Sequence, residues 1–269
     1  MLAVHLEKGL VTTREVPRPA RAEGFATLRL LMGGICNTDL ELQRGYYGFA
    51  GTPGHEFVAE VVEADTPSLI GQHVAGEINL ACGQCSWCAR GLGRHCPNRT
   101  VLGIVRHPGA FEEFFTLPER NLHVLPADLP LERAVFLEPL AAASEILEQV
   151  AIPKGAQVAV LGDGKLGLLI GMLLQAQGLS VQQFGRHQTK LAIAARTGVT
   201  AEISGANLPV AAYDCAAAWP SFSRSARCFA STSRPREMES SSALAAPAST
   251  ERASTSFSSA TTVSICGSP

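Results

Sequence analysis

The sequence has no apolar run long enough to cross a bilayer. Its most apolar stretch, Leu166 to Leu174, falls far short of the roughly 20 residues that a spanning helix needs. It has no surplus of either charge: 22 Lys and Arg stand against 24 Asp and Glu, a net charge of −2. Neither nucleic acid nor an anionic membrane is therefore expected as the main partner. The opening MLAVHLEKGL carries His5, Glu7 and Lys8 before an apolar core can form, so no export signal is expected. These absences point to a cytoplasmic protein. What is present, 46% hydrophobic and 17% charged residues in a chain of 269, suits a globular protein with room for two ordinary domains.

Three regions follow from the pattern. Residues 1–145 read as mainly β, with short strand candidates (Ala26–Leu31, Phe57–Glu63, His73–Gly76, Phe111–Thr116) punctuated by Gly and Pro. A small, irregular, barrel-like domain is expected. Residues 146–215 alternate strand and helix: a buried strand Gln157–Leu161, a helix Lys165–Ala176, a strand Leu179–Phe184, a helix Thr189–Thr197, a strand Thr200–Ile203, and the start of a fourth strand near Ala212–Cys215. That is the beginning of a doubly wound parallel sheet, so the fold class is α/β. Residues 216–269 hold 15 serines in 54 positions and no helix or strand period. Such a stretch buries too little apolar surface to offset its chain entropy.

Eight cysteines are present, and four of them, Cys82, Cys85, Cys88 and Cys96, follow C-x2-C-x2-C-x7-C. Two-residue gaps let successive thiolates converge, and Gly83 and Gly91 permit the turns. Four thiolates close a tetrahedral shell, the mark of a structural zinc. Arg90 and Arg94 are expected to help keep them charged. An iron–sulfur run would need three residues before the last cysteine rather than seven.

A second metal site is expected from Cys36 in GICNTD, His55 and Glu56 in GHE, and Glu138 in LEPL. A thiolate, an imidazole and one of the two carboxylates make three ligands, and a free fourth position characterises a catalytic zinc. Singly, each residue has a plainer explanation: a core thiol, a satisfied imidazole, an acid favoured at a helix start.

Val158-Ala159-Val160-Leu161-Gly162-Asp163-Gly164-Lys165-Leu166-Gly167 is a strand entering G-x-G-x-x-G and then a helix. Gly162 makes the turn, Gly164 lets backbone approach a pyrophosphate, and Gly167 permits close helix–strand packing. The amides of the helix start, at Lys165 and Leu166, are donors for phosphate. The second strand ends Phe184-Gly185-Arg186-His187. An acid for the ribose hydroxyls is missing there, and Arg186 can pair with a 2′-phosphate. NADP is favoured, with NAD the alternative.

In order, GIC-x-TD, GHE, the four-cysteine run, EPLA and G-x-G-x-x-G resemble the zinc-dependent medium-chain alcohol/polyol dehydrogenases over residues 1 to about 215, nearer the sorbitol/threonine dehydrogenase branch. The resemblance implies a GroES-like barrel followed by an incomplete Rossmann sheet. It implies a catalytic zinc on Cys36 and His55 with Glu56 or Glu138, a second zinc on the four cysteines, and Thr38 as the hydroxyl of a proton relay. A small-molecule alcohol is the implied substrate. Homo-oligomers in this family assemble through a part that the serine-rich end does not supply. Two departures stand out: Glu41 where the family often has His, and Ala59 where it usually has Gly. The break near Cys215 is read as a shift of reading frame, with a genuine disordered tail the alternative, and the chain as a shortened form that keeps an enzyme's signature without its activity. The rival to an enzyme is a zinc- and nucleotide-binding scaffold; two bound zincs per chain favour the enzyme and one favours the scaffold.

Overall fold

The computed structural model describes residues 1–204 and 215–218. It comprises two compact units that divide between Pro139 and Leu140. The first opens with a hairpin, β1 (Leu2–Glu7) and β2 (Leu10–Glu15). Its two-residue turn, Lys8-Gly9, has positive φ at both positions, which matches the natural twist of paired strands. Then come β3 (Phe25–Gly34), α1 (Asn37–Gln43), β4 (Glu56–Glu63), β5 (His73–Gly76), β6 (Asn79–Leu80), α2 (Ser86–Ala89), β7 (Thr100–Leu102), β8 (Arg106–His107), β9 (Phe114–Pro118), β10 (Leu122–Val124) and α3 (Leu131–Ala134). An antiparallel sheet runs β10-β5-β4-β3-β9, and β6-β7-β8 form a smaller one.

Strand β4 is buried on both faces, which explains its apolar run Phe57–Val58–Ala59. Phe57, Ala59 and Val61 join Leu28, Val74 and Phe115 in one core. Val58 joins Ala75, Leu125 and Ala134 in another. The Phe57 and Phe115 rings meet edge to face at 4.9 Å. Ala59, where the resemblance would place Gly, is fully buried in mid-strand, opposite Leu30 and Val74, beside an irregularity in β3 between Leu30 and Met32. A methyl group there fills core space and no turn requires a glycine.

Helix α4 (Leu137–Gln149) crosses the division. It starts two residues before Pro139, which sits in the first turn, where its missing N–H has no helical partner to lose. The second unit continues with β11 (Gln157–Leu161), α5 (Lys165–Ala176), β12 (Ser180–Gly185), α6 (Gln188–Ala195), β13 (Thr200–Ile203) and β14 (Cys215–Ala218). All pairings are parallel, in the order β13-β12-β11-β14. That is the strand order of the first part of a doubly wound sheet. Val158, Val160 and Val181 pack against Ile170 and Leu174 of α5 and Ala194 of α6. The fourth strand runs to Ala218, three residues into the stretch expected to be tail. Residues 205–214 and 219–269, and with them most of the serine-rich stretch, lie outside the described residues. Among the described residues no helix is long and apolar enough to cross a membrane.

Glu112, bridged to Ala3 in β1, is half-buried, and burial pushes its carboxyl from an ordinary 4.5 up to about 7. The folded chain thus holds this proton more tightly than the unfolded chain. The contribution to stability is full below about 4.5 and is lost as pH rises through about 7. Glu112→Gln is expected to raise the melting temperature more at pH 8 than at pH 5. Equal shifts at both pH values in thermal melts would contradict this origin.

Candidate functional site

In the first unit, Cys36 lies just before α1, while His55 ends the loop into β4 and Glu56 begins that strand. A sulfur, an imidazole nitrogen and a carboxylate oxygen from these three residues all lie within 4.8 Å of one another. His55 and Glu56 are almost wholly buried. Glu138, the other candidate, sits in the first turn of α4 and does not join this cluster of donor atoms. Glu56 does, because Gly34 leaves room: a Cβ at 34 would come within 2.6 Å of Glu56 Oε2.

Asp39, in the first turn of α1, braces the site and was not singled out from sequence. Its Oδ2 accepts the Cys36 N–H at 2.8 Å and its Oδ1 the Gly54 N–H at 3.2 Å. Oδ1 also lies 3.6 Å from His55 Nδ1. An acid three residues after a helix N-cap is a capping-box signal that was available in the sequence. The Thr38 hydroxyl lies 3.7 Å from Cys36 Sγ. Glu41, on the same helix, pairs with Arg44 at 2.6 Å on the surface.

The four clustered cysteines converge as their spacing predicts. Their sulfurs lie within 4.8 Å of one another, with Cys85–Cys88 at 3.5 Å, Cys85–Cys96 at 3.7 Å and Cys82–Cys88 at 3.9 Å. Four sulfurs each about 2.3 Å from a central zinc would stand about 3.8 Å apart, so the spacing suits that ion. Backbone amides contribute to the charge stabilisation of the thiolates. The Gln84 amide, with the Cys96 thiol next, lowers Cys82 to about 6, and the Cys88 amide lowers Cys85. Desolvation, reinforced by Cys85, pushes Cys88 up to about 11. Arg90 instead lies over the Trp87 ring and donates to the Ser86 carbonyl.

In the second unit, the turn from β11 into α5 has the form its glycines imply. Gly162 has φ +127° and donates to the Phe184 carbonyl at 2.8 Å. A Cβ at Gly167 would come within 2.5 Å of the Gly162 carbonyl oxygen, whereas one at Gly164 would meet open space. The turn is thus tight on the strand side and open at Gly164. Lys165 and Leu166 begin α5, where main-chain amides lack helical acceptors. Gln183, fully buried in β12, donates from Nε2 to the Gly162 carbonyl at 2.8 Å. The Asp163 carboxylate takes the amides of Arg186 and His187.

Residues 22–127 match the alcohol dehydrogenase GroES-like domain, a span that holds Cys36, His55, Glu56 and all four clustered cysteines. D-altritol 5-dehydrogenase of Agrobacterium fabrum is 30% identical over 211 residues, 74% of this chain and 62% of the relative. L-threonine 3-dehydrogenase of Chelativorans sp. is 34% identical over 203 residues, 72% of this chain and 58% of the relative. The chain thus carries an alcohol dehydrogenase GroES-like domain and is similar, over about three quarters of its length, to these dehydrogenases. Among solved structures, a zinc-binding dehydrogenase assigned in Sinorhizobium meliloti 1021, bound to NADP, superposes with a TM-score of 0.70 at 32% identity, over 76% of this chain and 61% of that one. The chain spans about three fifths of the length of these medium-chain dehydrogenases.

Gly34→Ala is expected to drive the Glu56 carboxylate out of the three-donor cluster and to cost about 1–3 kcal/mol of stability through overpacking. The four-cysteine cluster should be untouched. Metal content per chain and thermal melting check both parts; unchanged metal content at the Cys36 centre would contradict the cradle role of Gly34.

Proposed function

We propose that this chain carries the metal and cofactor sites of a zinc-dependent dehydrogenase acting on an alcohol or polyol, with NADP as the favoured nicotinamide cofactor. The carrying observation is the convergence of Cys36, His55 and Glu56 within 4.8 Å. One thiolate, one imidazole and one carboxylate suit zinc and leave a coordination position for a further ligand. When bound, zinc supplies Lewis-acid polarisation of an alcohol oxygen, and a nicotinamide ring accepts the hydride.

The chain's own residues prepare that chemistry. Asp39 orients the Cys36 amide and the His55 turn, so the donors do not have to be ordered when metal arrives. Burial of His55 and Glu56 keeps water from competing for their donor atoms. Thr38 offers a hydroxyl beside Cys36 that can pass a proton outward, and Glu41, held by Arg44, does not serve as its continuation. In the second unit, the open backbone at Gly164 and the amides of Lys165 and Leu166 suit a pyrophosphate. Arg186 suits a 2′-phosphate, since a guanidinium forks onto phosphate oxygens. Cys82, Cys85, Cys88 and Cys96 hold a second zinc in a closed shell that has no part in turnover.

Metal analysis of the purified chain should return two zincs. Cys36→Ala should remove one and abolish any alcohol-dependent reduction of NADP, leaving the four-cysteine zinc bound. A chain that binds one zinc before substitution, or that keeps its activity after it, would exclude the dehydrogenase assignment and favour a scaffold.

A further inference from the structure

Gly162 is held at both ends by consecutive residues of β12. Its N–H donates to the Phe184 carbonyl at 2.8 Å, and its carbonyl accepts from Gln183 Nε2 at 2.8 Å. Gln183 is 0% exposed. On the helix side Gly167 closes over the same carbonyl, since a Cβ there would come within 2.5 Å of the Gly162 oxygen.

Folding stability does not account for Gln183. Its Oε1 is buried and has no hydrogen-bond donor among the described residues, and an unanswered buried acceptor is costly. Its amide also needs a glycine opposite it inside α5: a Cβ at Gly171 would come within 2.4 Å of Oε1. Glycine in a helix interior is less favourable than alanine. Gln183→Val together with Gly171→Ala would remove both costs.

What this side chain holds is the direction of one peptide. Glycine at 162 leaves the Gly162–Asp163 peptide free to turn. In a planar trans peptide the carbonyl and the following N–H point opposite ways. With the Gly162 oxygen drawn into the interface of α5 and β12, the Asp163 N–H is turned away from that interface. With the peptide rotated, an oxygen would face outward at the entry to α5, where an anion requires N–H donors.

We infer that Gln183 is a positioning residue for a dinucleotide pyrophosphate: it keeps the Gly162 oxygen turned inward, so that the glycine turn offers N–H groups and no carbonyl to the phosphates. Gln183, wholly buried, acts through Gly162 and touches no phosphate itself. This inference rests on the assignment of the glycine turn to a pyrophosphate.

The test uses the full chain and two probes that share the pyrophosphate, ADP-ribose and 2′-phospho-ADP-ribose, with affinities from calorimetry and folding from thermal melts. Gln183→Val with Gly171→Ala should melt at or above the wild-type temperature, yet bind both probes about tenfold more weakly, the loss expected for one hydrogen bond. A purely structural role would not lower affinity while stability is kept or raised. Gln183→Met, of similar length but with no donor, repeats the comparison with Gly171 in place, and serves if the double variant does not fold. Wild-type affinity in either folded variant would overturn the inference and leave the pyrophosphate assignment standing. A loss confined to the 2′-phosphorylated probe would also overturn it, because Gln183 would then act on the ribose side. If the wild-type chain binds neither probe, the assignment of the turn fails and the inference with it.

Discussion

A single buried carboxylate governs the first unit. Asp39 accepts from Cys36 on one side and from Gly54 on the other, and its Oδ1 faces the His55 ring. The segments it joins are 15 residues apart between Asp39 and Gly54, with a loop of tyrosines and glycines between. Each hydrogen bond to such a charged group is worth about 1.5–3 kcal/mol, and an unpaired buried charge would cost more. The turn before α1 and the turn before β4 therefore have one low-energy arrangement relative to each other. The convergence of thiolate, imidazole and Glu56 carboxylate follows from it.

The glycines around this brace are consequences of close approach. Gly54 has φ +100°, and a Cβ there would come within 2.4 Å of the Phe111 ring. Gly103 and Gly109 press on the backbone of Pro53 and Gly54 from two further loops. The His55 turn is clamped by packing as well as by charge. The four-cysteine loop solves a different problem by different means: its backbone amides, at Gln84 and Cys88, stabilise thiolates in place of charged side chains. Amide donors fixed by a turn cost no side-chain entropy when they act, unlike an exposed arginine.

The parts of this architecture that were legible in the sequence are those set by local spacing. The C-x2-C-x2-C-x7-C run, the helix Lys165–Ala176 and the strand before the glycine turn all depend on residues close in sequence, and the structure has them at the expected positions. That the Glu56 carboxylate stands beside the Cys36 and His55 donors was not legible, because it turns on the room that Gly34 leaves. The hairpin of β1 and β2 was also missed. Every residue of β2 is exposed, so it lacks the alternation of buried and exposed side chains by which a strand is recognised. The contacts of Arg90 were not legible either: its guanidinium lies over the Trp87 ring and donates to the Ser86 carbonyl.

The same dependence on contact rather than spacing applies at the cofactor turn. A ribose-binding acid near the end of the second strand is the usual route to NAD, and β12 ends here at Gly185. Replacing Gly185 with an acid would not by itself restore such a site, because the new Cβ would overlap Asp163. Removing Asp163 first would release the amides of Arg186 and His187, which now have their acceptor in its carboxylate. The carboxylate in the turn and the glycine at the strand end are coupled by their mutual exclusion.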